Sequence, residues 1–108
     1  MTVTASTLTG NKAQQGGGIE VEGATINVLN STFTGNRGSG IQTYACGGGT
    51  VGYTTMNGND SALSLSCPDL RLTGTIVAGS TSGGNCAGAE PAETVGYNLD
   101  SGTSCRFA

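Results

Sequence analysis

At 108 residues, with 20 Gly, no Trp, no His and only 10% charged residues, the chain has room for one domain and too little charge for a solvated disordered tail. A net charge of −3 with four scattered basic residues, Lys12, Arg37, Arg71 and Arg106, lacks the cationic cluster that nucleic acid demands, so no nucleic-acid partner is expected. No apolar run approaches the roughly 20 residues of a membrane span.

Taken in order, the chain repeats itself. It opens with Val3 and then Ser6-Thr7-Leu8-Thr9-Gly10-Asn11. After the turn Gly16-Gly17-Gly18 come Ile19 and Val21, alternating with Glu20 and Glu22. Val28 and Asn30-Ser31-Thr32-Phe33-Thr34-Gly35-Asn36 follow, then Ile41 and Thr43. The next copy holds Val51, Thr54-Thr55-Met56-Asn57-Gly58-Asn59, Leu63 and Leu65. Leu72 and Gly74-Thr75-Ile76-Val77-Ala78-Gly79-Ser80 make the last. Leu8, Phe33, Met56 and Val77 are separated by 25, 23 and 21 residues, and Val3, Val28, Val51 and Leu72 by the same intervals. Ile19, Ile41 and Leu63 are each 22 apart.

Three apolar series sharing a period of about 22 residues describe coils of three short strands, each burying alternate residues on one face. Stacked coils align equivalent strands into parallel sheets about 4.8 Å apart and form one continuous core. The expected fold is all-β, a right-handed parallel β-helix (β-solenoid) of about four coils in a single domain, 1–108. The coils cover 1–80, at 2–15, 16–37, 38–60 and 61–80, and a disulfide-containing C-terminal cap covers 81–108. Within that cap, 82–93 reads as loop and 95–99 as one last alternating strand.

The repeated Thr-Phe-Thr-Gly-Asn motif, the Gly16-Gly17-Gly18-Ile19 turn and strand, Thr75-Ile76-Val77-Ala78-Gly79, and the ending Cys86-Ala87-Gly88 … Gly96-Tyr97-Asn98-Leu99-Asp100 … Cys105 carry a likeness over nearly the whole chain. It resembles right-handed parallel β-helix repeat proteins of the pectate-lyase-like solenoid superfamily. The resemblance implies a C-terminal fragment of a bacterial secreted or surface protein. Such solenoids host lyases, hydrolases, adhesins and scaffolds alike, so the likeness speaks for fold more than activity.

Four cysteines with no C-x-x-C and no His point to disulfides rather than a metal site, and so to an extracellular or periplasmic setting whose targeting signal is not in this chain. Cys46 and Cys67 follow the matched Ile41 and Leu63 by five and four residues. Neighbouring coils lie within disulfide reach, so Cys46 is expected to pair with Cys67 across coils and Cys86 with Cys105 within the cap. Asn11, Asn36 and Asn59 recur at one turn of each coil and are expected to form an internal amide ladder.

With Leu8, Phe33, Met56 and Val77 facing inward, Thr7, Thr9, Thr32, Thr34 and Thr55 face outward on one flat surface. That array resembles the ice-binding faces of β-solenoid antifreeze proteins, and it is the candidate binding surface. Glycoside or uronate chemistry needs clustered carboxylates. Glu20, Glu22, Asp60, Asp69, Glu90, Glu93 and Asp100 form no pair that recurs on adjacent coils. No catalytic residue, metal ligand or cofactor is therefore expected. The leading expectation is a non-catalytic structural or adhesive module of a secreted or surface-exposed protein. The alternatives are an ice-binding solenoid and a polysaccharide-binding or polysaccharide-degrading fragment. Expected partners are a glycan or ice surface and a second copy, since the first coil leaves its strand edges unpaired.

Overall fold

The alternation that places Val3, Val28, Val51 and Leu72 on one side of their strands also decides what each packs against. In the computed structural model, which describes residues 1–45, 48–66, 70–88, 91 and 93–107, they stand one above another. Among the described residues there is no helix. The strands are β1 (Thr2–Thr4), β2 (Thr7–Thr9), β3 (Ile19–Glu22), β4 (Ile26–Leu29), β5 (Thr32–Thr34), β6 (Ile41–Tyr44) and β7 (Gly49–Gly52). They continue with β8 (Thr55–Asn57), β9 (Leu63–Leu65), β10 (Leu70–Thr73), β11 (Ile76–Ala78), β12 (Cys86–Gly88), β13 (Glu93–Val95) and β14 (Leu99–Asp100).

Every third strand pairs in parallel, giving three sheets: β1-β4-β7-β10-β13, β2-β5-β8-β11-β14 and β3-β6-β9-β12. This is a parallel β-solenoid of about four turns. The register is the one the repeat spacing requires. Val3 pairs with Val28, Val28 with Val51 and Val51 with Leu72 in the first sheet. In the second, Leu8, Phe33, Met56 and Val77 are successive partners. In the third, Ile19, Ile41 and Leu63 are in register, as are Val21, Thr43 and Leu65. Three columns converge on one core in which Val28, Phe33, Ile41, Val51, Met56, Leu63 and Val77 are fully buried. Each such side chain contributes about 1.5–3 kcal/mol relative to exposure.

Glycine lets the turns lie this close. At Gly18 an added Cβ would sit 2.3 Å from the carbonyl oxygen of Gly40 in the next turn, so only a residue without a side chain fits there.

One column carries a polar substitution. Thr43 lies between Val21 and Leu65, and its buried hydroxyl has no hydrogen-bond partner among the described residues. A buried unpaired hydroxyl costs about 1–3 kcal/mol. Thr43→Val keeps the β-branched shape, and the expected result is a gain of about 1 kcal/mol, read as a higher urea midpoint at unchanged slope. A lower midpoint would show that the hydroxyl is held by a polar partner.

The C-terminal region departs from the sequence reading. Cys86–Gly88, within the stretch read as loop, is a strand paired on β9. The stretch 95–99 is not one strand: Val95 ends β13, Leu99 begins β14, and 96–98 form the corner between them. The reason lies in the inward positions. Leu63 is followed in register by Cys86, Leu65 by Gly88, Leu72 by Thr94 and Val77 by Asp100. The coil continues while its apolar signal stops.

The core ends on small and polar groups, closed by the Cys86–Cys105 disulfide (Cα–Cα 4.9 Å). Cys105 is buried in the core cluster and Phe107 packs against it. Cys46 and Cys67 lie outside the described residues.

Candidate functional site

Strands β2, β5, β8 and β11 of the second sheet are each followed by a glycine with positive φ, Gly10, Gly35, Gly58 and Gly79, and the next residue turns inward at the corner. Asn11, Asn36 and Asn59 are brought into one ladder there. The Asn11 side-chain amide donates to Asn36 Oδ1 at 3.1 Å, and the Asn36 amide donates to Asn59 Oδ1 at 2.9 Å. Each carbonyl oxygen also accepts the backbone N–H of the residue above it. Asn36 Nδ2 reaches back to the carbonyl of Leu8, and Asn59 Nδ2 to that of Phe33.

Ser80 holds the fourth place. Below it Asn85, from the longer corner before β12, takes up the pattern, accepting the Ser80 N–H and donating to the Val77 carbonyl. Sequence reasoning missed Asn85 because it lies outside the repeat interval.

A second ladder occupies the corner between the first and second sheets, and it too was missed. Ser6, Ser31, Thr54 and Thr75 each turn their hydroxyl onto the carbonyl two residues earlier, at Thr4, Leu29, Gly52 and Thr73. The Ser6 and Ser31 N–H groups donate to the hydroxyls of the next turn, and the Thr75 N–H donates to Asn98 Oδ1. The signal was present in the spacing: these residues repeat at 25, 23 and 21, two positions before each inward residue.

Outside the second sheet, Thr7, Thr32 and Thr55 form one row in register, and Thr9, Thr34 and Asn57 another. Thr7, Thr9 and Thr55 are exposed, and Thr32 and Thr34 half-buried. The surface then becomes apolar, with Ile76 beside Thr55 and Leu99 beside Ile76. Val95, Tyr97 and Leu99 are all exposed. Tyr97 is an extra residue at its corner: Thr73 pairs with Val95 and Ile76 with Leu99, so three residues intervene where two do one turn earlier. The inserted side chain is 96% exposed.

The acidic groups are dispersed or committed to the backbone. Glu20 and Glu22 point outward from β3 and are followed in register by Gln42 and Tyr44, which hydrogen-bond to each other. Glu93 pairs with Arg71 on the surface. The Gly38 N–H and the Thr81 hydroxyl donate to Asp60 and, with Arg37 nearby, hold its carboxyl below the ordinary aspartate range. Burial pushes the Asp100 carboxyl up, but donors from Asn85, Cys105 and Gly102 outweigh it and bring it below the ordinary value. Among the described residues no three His, Cys, Asp or Glu side chains gather where a metal ion could sit. Asp69 and Glu90 lie outside the described residues.

Compared with protein-family models, with curated proteins and with solved structures, the chain matches none of them. Its own geometry defines its class, a parallel β-solenoid with internal polar ladders at two corners and a disulfide near the C-terminus.

Proposed function

We propose that the chain is a non-catalytic structural and adhesive module of a secreted or surface-exposed bacterial protein, built on the pectate-lyase-like solenoid plan. One observation carries this reading. The asparagines and Asp60 are spent holding one turn to the next, and Asp100 is spent closing the C-terminal segment. What faces outward is a set of rows repeating about every 4.8 Å, a surface suited to contacting another extended, regular surface. The test is an immobilised glycan array run beside a polysaccharide-degradation assay. Binding without release of reducing or unsaturated ends is the expected result, and product release overturns the reading.

A second reading, ice binding, is favoured by the registered threonines Thr7, Thr32 and Thr55 beside Thr9 and Thr34. It expects thermal hysteresis that disappears in Thr32→Tyr, where a bulky ring breaks the flat array. Unaltered ice growth in the presence of the wild-type chain ends it.

A further inference from the structure

The asparagine ladder follows one rule from rung to rung. The side-chain oxygen of each rung accepts two bonds from the asparagine one turn earlier, one from its backbone N–H and one from its Nδ2. Asn36 Oδ1 takes both from Asn11, and Asn59 Oδ1 takes both from Asn36. The side-chain nitrogen donates back to the inward-facing residue of the earlier turn, Asn36 to the Leu8 carbonyl and Asn59 to that of Phe33. A complete rung thus offers an acceptor to two donors and a donor to one carbonyl.

The next rung is Ser80, and a hydroxyl cannot fill that role alone. Its Oγ is buried and has no hydrogen-bond partner among the described residues, so neither donor of Asn59 reaches it. The Asn59 N–H and the second hydrogen of its Nδ2 lose the acceptor that their counterparts at Asn36 have. The Met56 carbonyl, in register with those of Leu8 and Phe33, loses its amide donor. Met56 and Asn59 are fully buried, so bulk solvent reaches none of these groups. Asn85 does not serve them, because it accepts the Ser80 N–H and donates to the Val77 carbonyl, one turn further on.

The backbone has not closed in around the shorter side chain. Just before the ladder position, the bonds from Gly10 to the Thr34 carbonyl, Gly35 to Asn57 and Gly58 to Ala78 are each 3.1 Å. Just after it, those from Arg37 to the Asn11 carbonyl, Asp60 to Asn36 and Thr81 to Asn59 are 2.8, 3.0 and 2.9 Å. The turn carrying Ser80 therefore stacks at the same distance as the turns carrying asparagine, while its side chain lacks the terminal amide. The difference in bulk is comparable to one water molecule, which occupies about 30 Å³ in the liquid.

We infer that a water molecule held between Met56, Asn59 and Ser80 is the fourth rung of the ladder. It accepts from the N–H and the Nδ2 of Asn59 and donates to the Met56 carbonyl and to Ser80 Oγ, a full set of partners for a buried water. The chemistry of the site selects water among small occupants. Two N–H donors disfavour a cation, and the Met56 carbonyl disfavours an anion away from solvent. The water ties the third turn to the fourth as the amides tie the turns before it.

Magnetisation transfer from water to the amides of the full 108-residue chain, isotope-labelled so that Hα signals are filtered out, tests this. The Asn59 N–H is expected to show contacts to water of opposite sign in the laboratory and rotating frames, as a water that tumbles with the protein gives. Ser80→Ala removes the hydroxyl beside the site but leaves the Asn59 and Met56 partners, so the contact is expected to persist. Ser80→Asn supplies the amide and displaces the water. The contact is then expected to disappear, and the folding equilibrium constant to rise about three- to tenfold, read as a higher urea midpoint at unchanged slope. No contact in the parent chain overturns the inference whatever the variants do. Loss of the contact in Ser80→Ala overturns it too, by tracing the signal to the hydroxyl, as does its survival in Ser80→Asn. A Ser80→Asn midpoint below that of the parent shows that the turn has no room for a rung, and overturns it as well.

Discussion

Replacing Asn36 by alanine is expected to cost about 3 kcal/mol, while Asn11→Ala costs less than about 1 kcal/mol. Both residues occupy the same corner and belong to the same ladder, but they differ in burial and in how many groups each satisfies. Asn36 is fully buried. Its amide nitrogen supplies the Leu8 carbonyl at 2.9 Å and Asn59 Oδ1 at 2.9 Å, and its oxygen receives the Asn11 N–H at 3.1 Å. Alanine removes these side-chain bonds and leaves Asn59 Oδ1 with only the backbone N–H of residue 36, at about 1–3 kcal/mol for each unpaired group water cannot reach, and opens a cavity besides. Asn11 is exposed, so water replaces what its amide gives up. Against a typical total of about 5–15 kcal/mol, the Asn36 loss is a large fraction of stability. Urea unfolding of the two variants and the parent checks this through their midpoints at a common slope. Equal small shifts would mean that the ladder sets the register without adding stability.

The contrast between those two asparagines shows what was legible from the sequence and what was not. The stacking of Val3 on Val28 and of Leu8 on Phe33 could be read because apolar volume at a fixed interval is a signal that polar residues do not imitate. The outward placement of Thr7, Thr9, Thr32, Thr34 and Thr55 followed, since a strand residue beside an inward one must face out. The hydroxyl ladder of Ser6, Ser31, Thr54 and Thr75 kept the same interval, but Ser and Thr are so frequent here that the series did not stand out. The continuation of the coil through β12, β13 and β14 was hidden for the opposite reason: Gly88, Thr94 and Asp100 occupy inward positions without any apolar mark. The single inserted residue, Tyr97, then displaced the alternation by one and made a corner look like a strand. How far the burial of Asn36 exceeds that of Asn11 depends on how many turns lie above each, which no local pattern states.

Those same C-terminal strands set the second large effect. The double variant Cys86→Ala/Cys105→Ala is expected to lose about 3 kcal/mol at this end of the solenoid. A cross-link over 19 residues restrains the unfolded segment by about that amount in the chain-entropy account. In an earlier turn the loss would be shared with buried Val, Leu and Phe side chains, each contributing about 1.5–3 kcal/mol. Here the inward residues are Gly88, Thr94 and Asp100. Without the disulfide, closure rests on hydrogen bonds: those Asp100 accepts from Cys105 and Gly102, and the one Ser104 accepts from Cys86. Such bonds contribute about 0.5–1.5 kcal/mol each, rising to about 1.5–3 for those to the charged Asp100 carboxylate, too little to order three short strands against their backbone entropy. Unfolding is therefore expected to be local. Amide exchange should accelerate in β12, β13 and β14 while β4 to β8 keep their protection. Opening that end also uncovers Leu72 and Val77, which are otherwise buried, and frees the edges of β10 and β11. Uniform acceleration through all three sheets would instead show that the disulfide stabilises the whole molecule and that the C-terminal end is no separate unit.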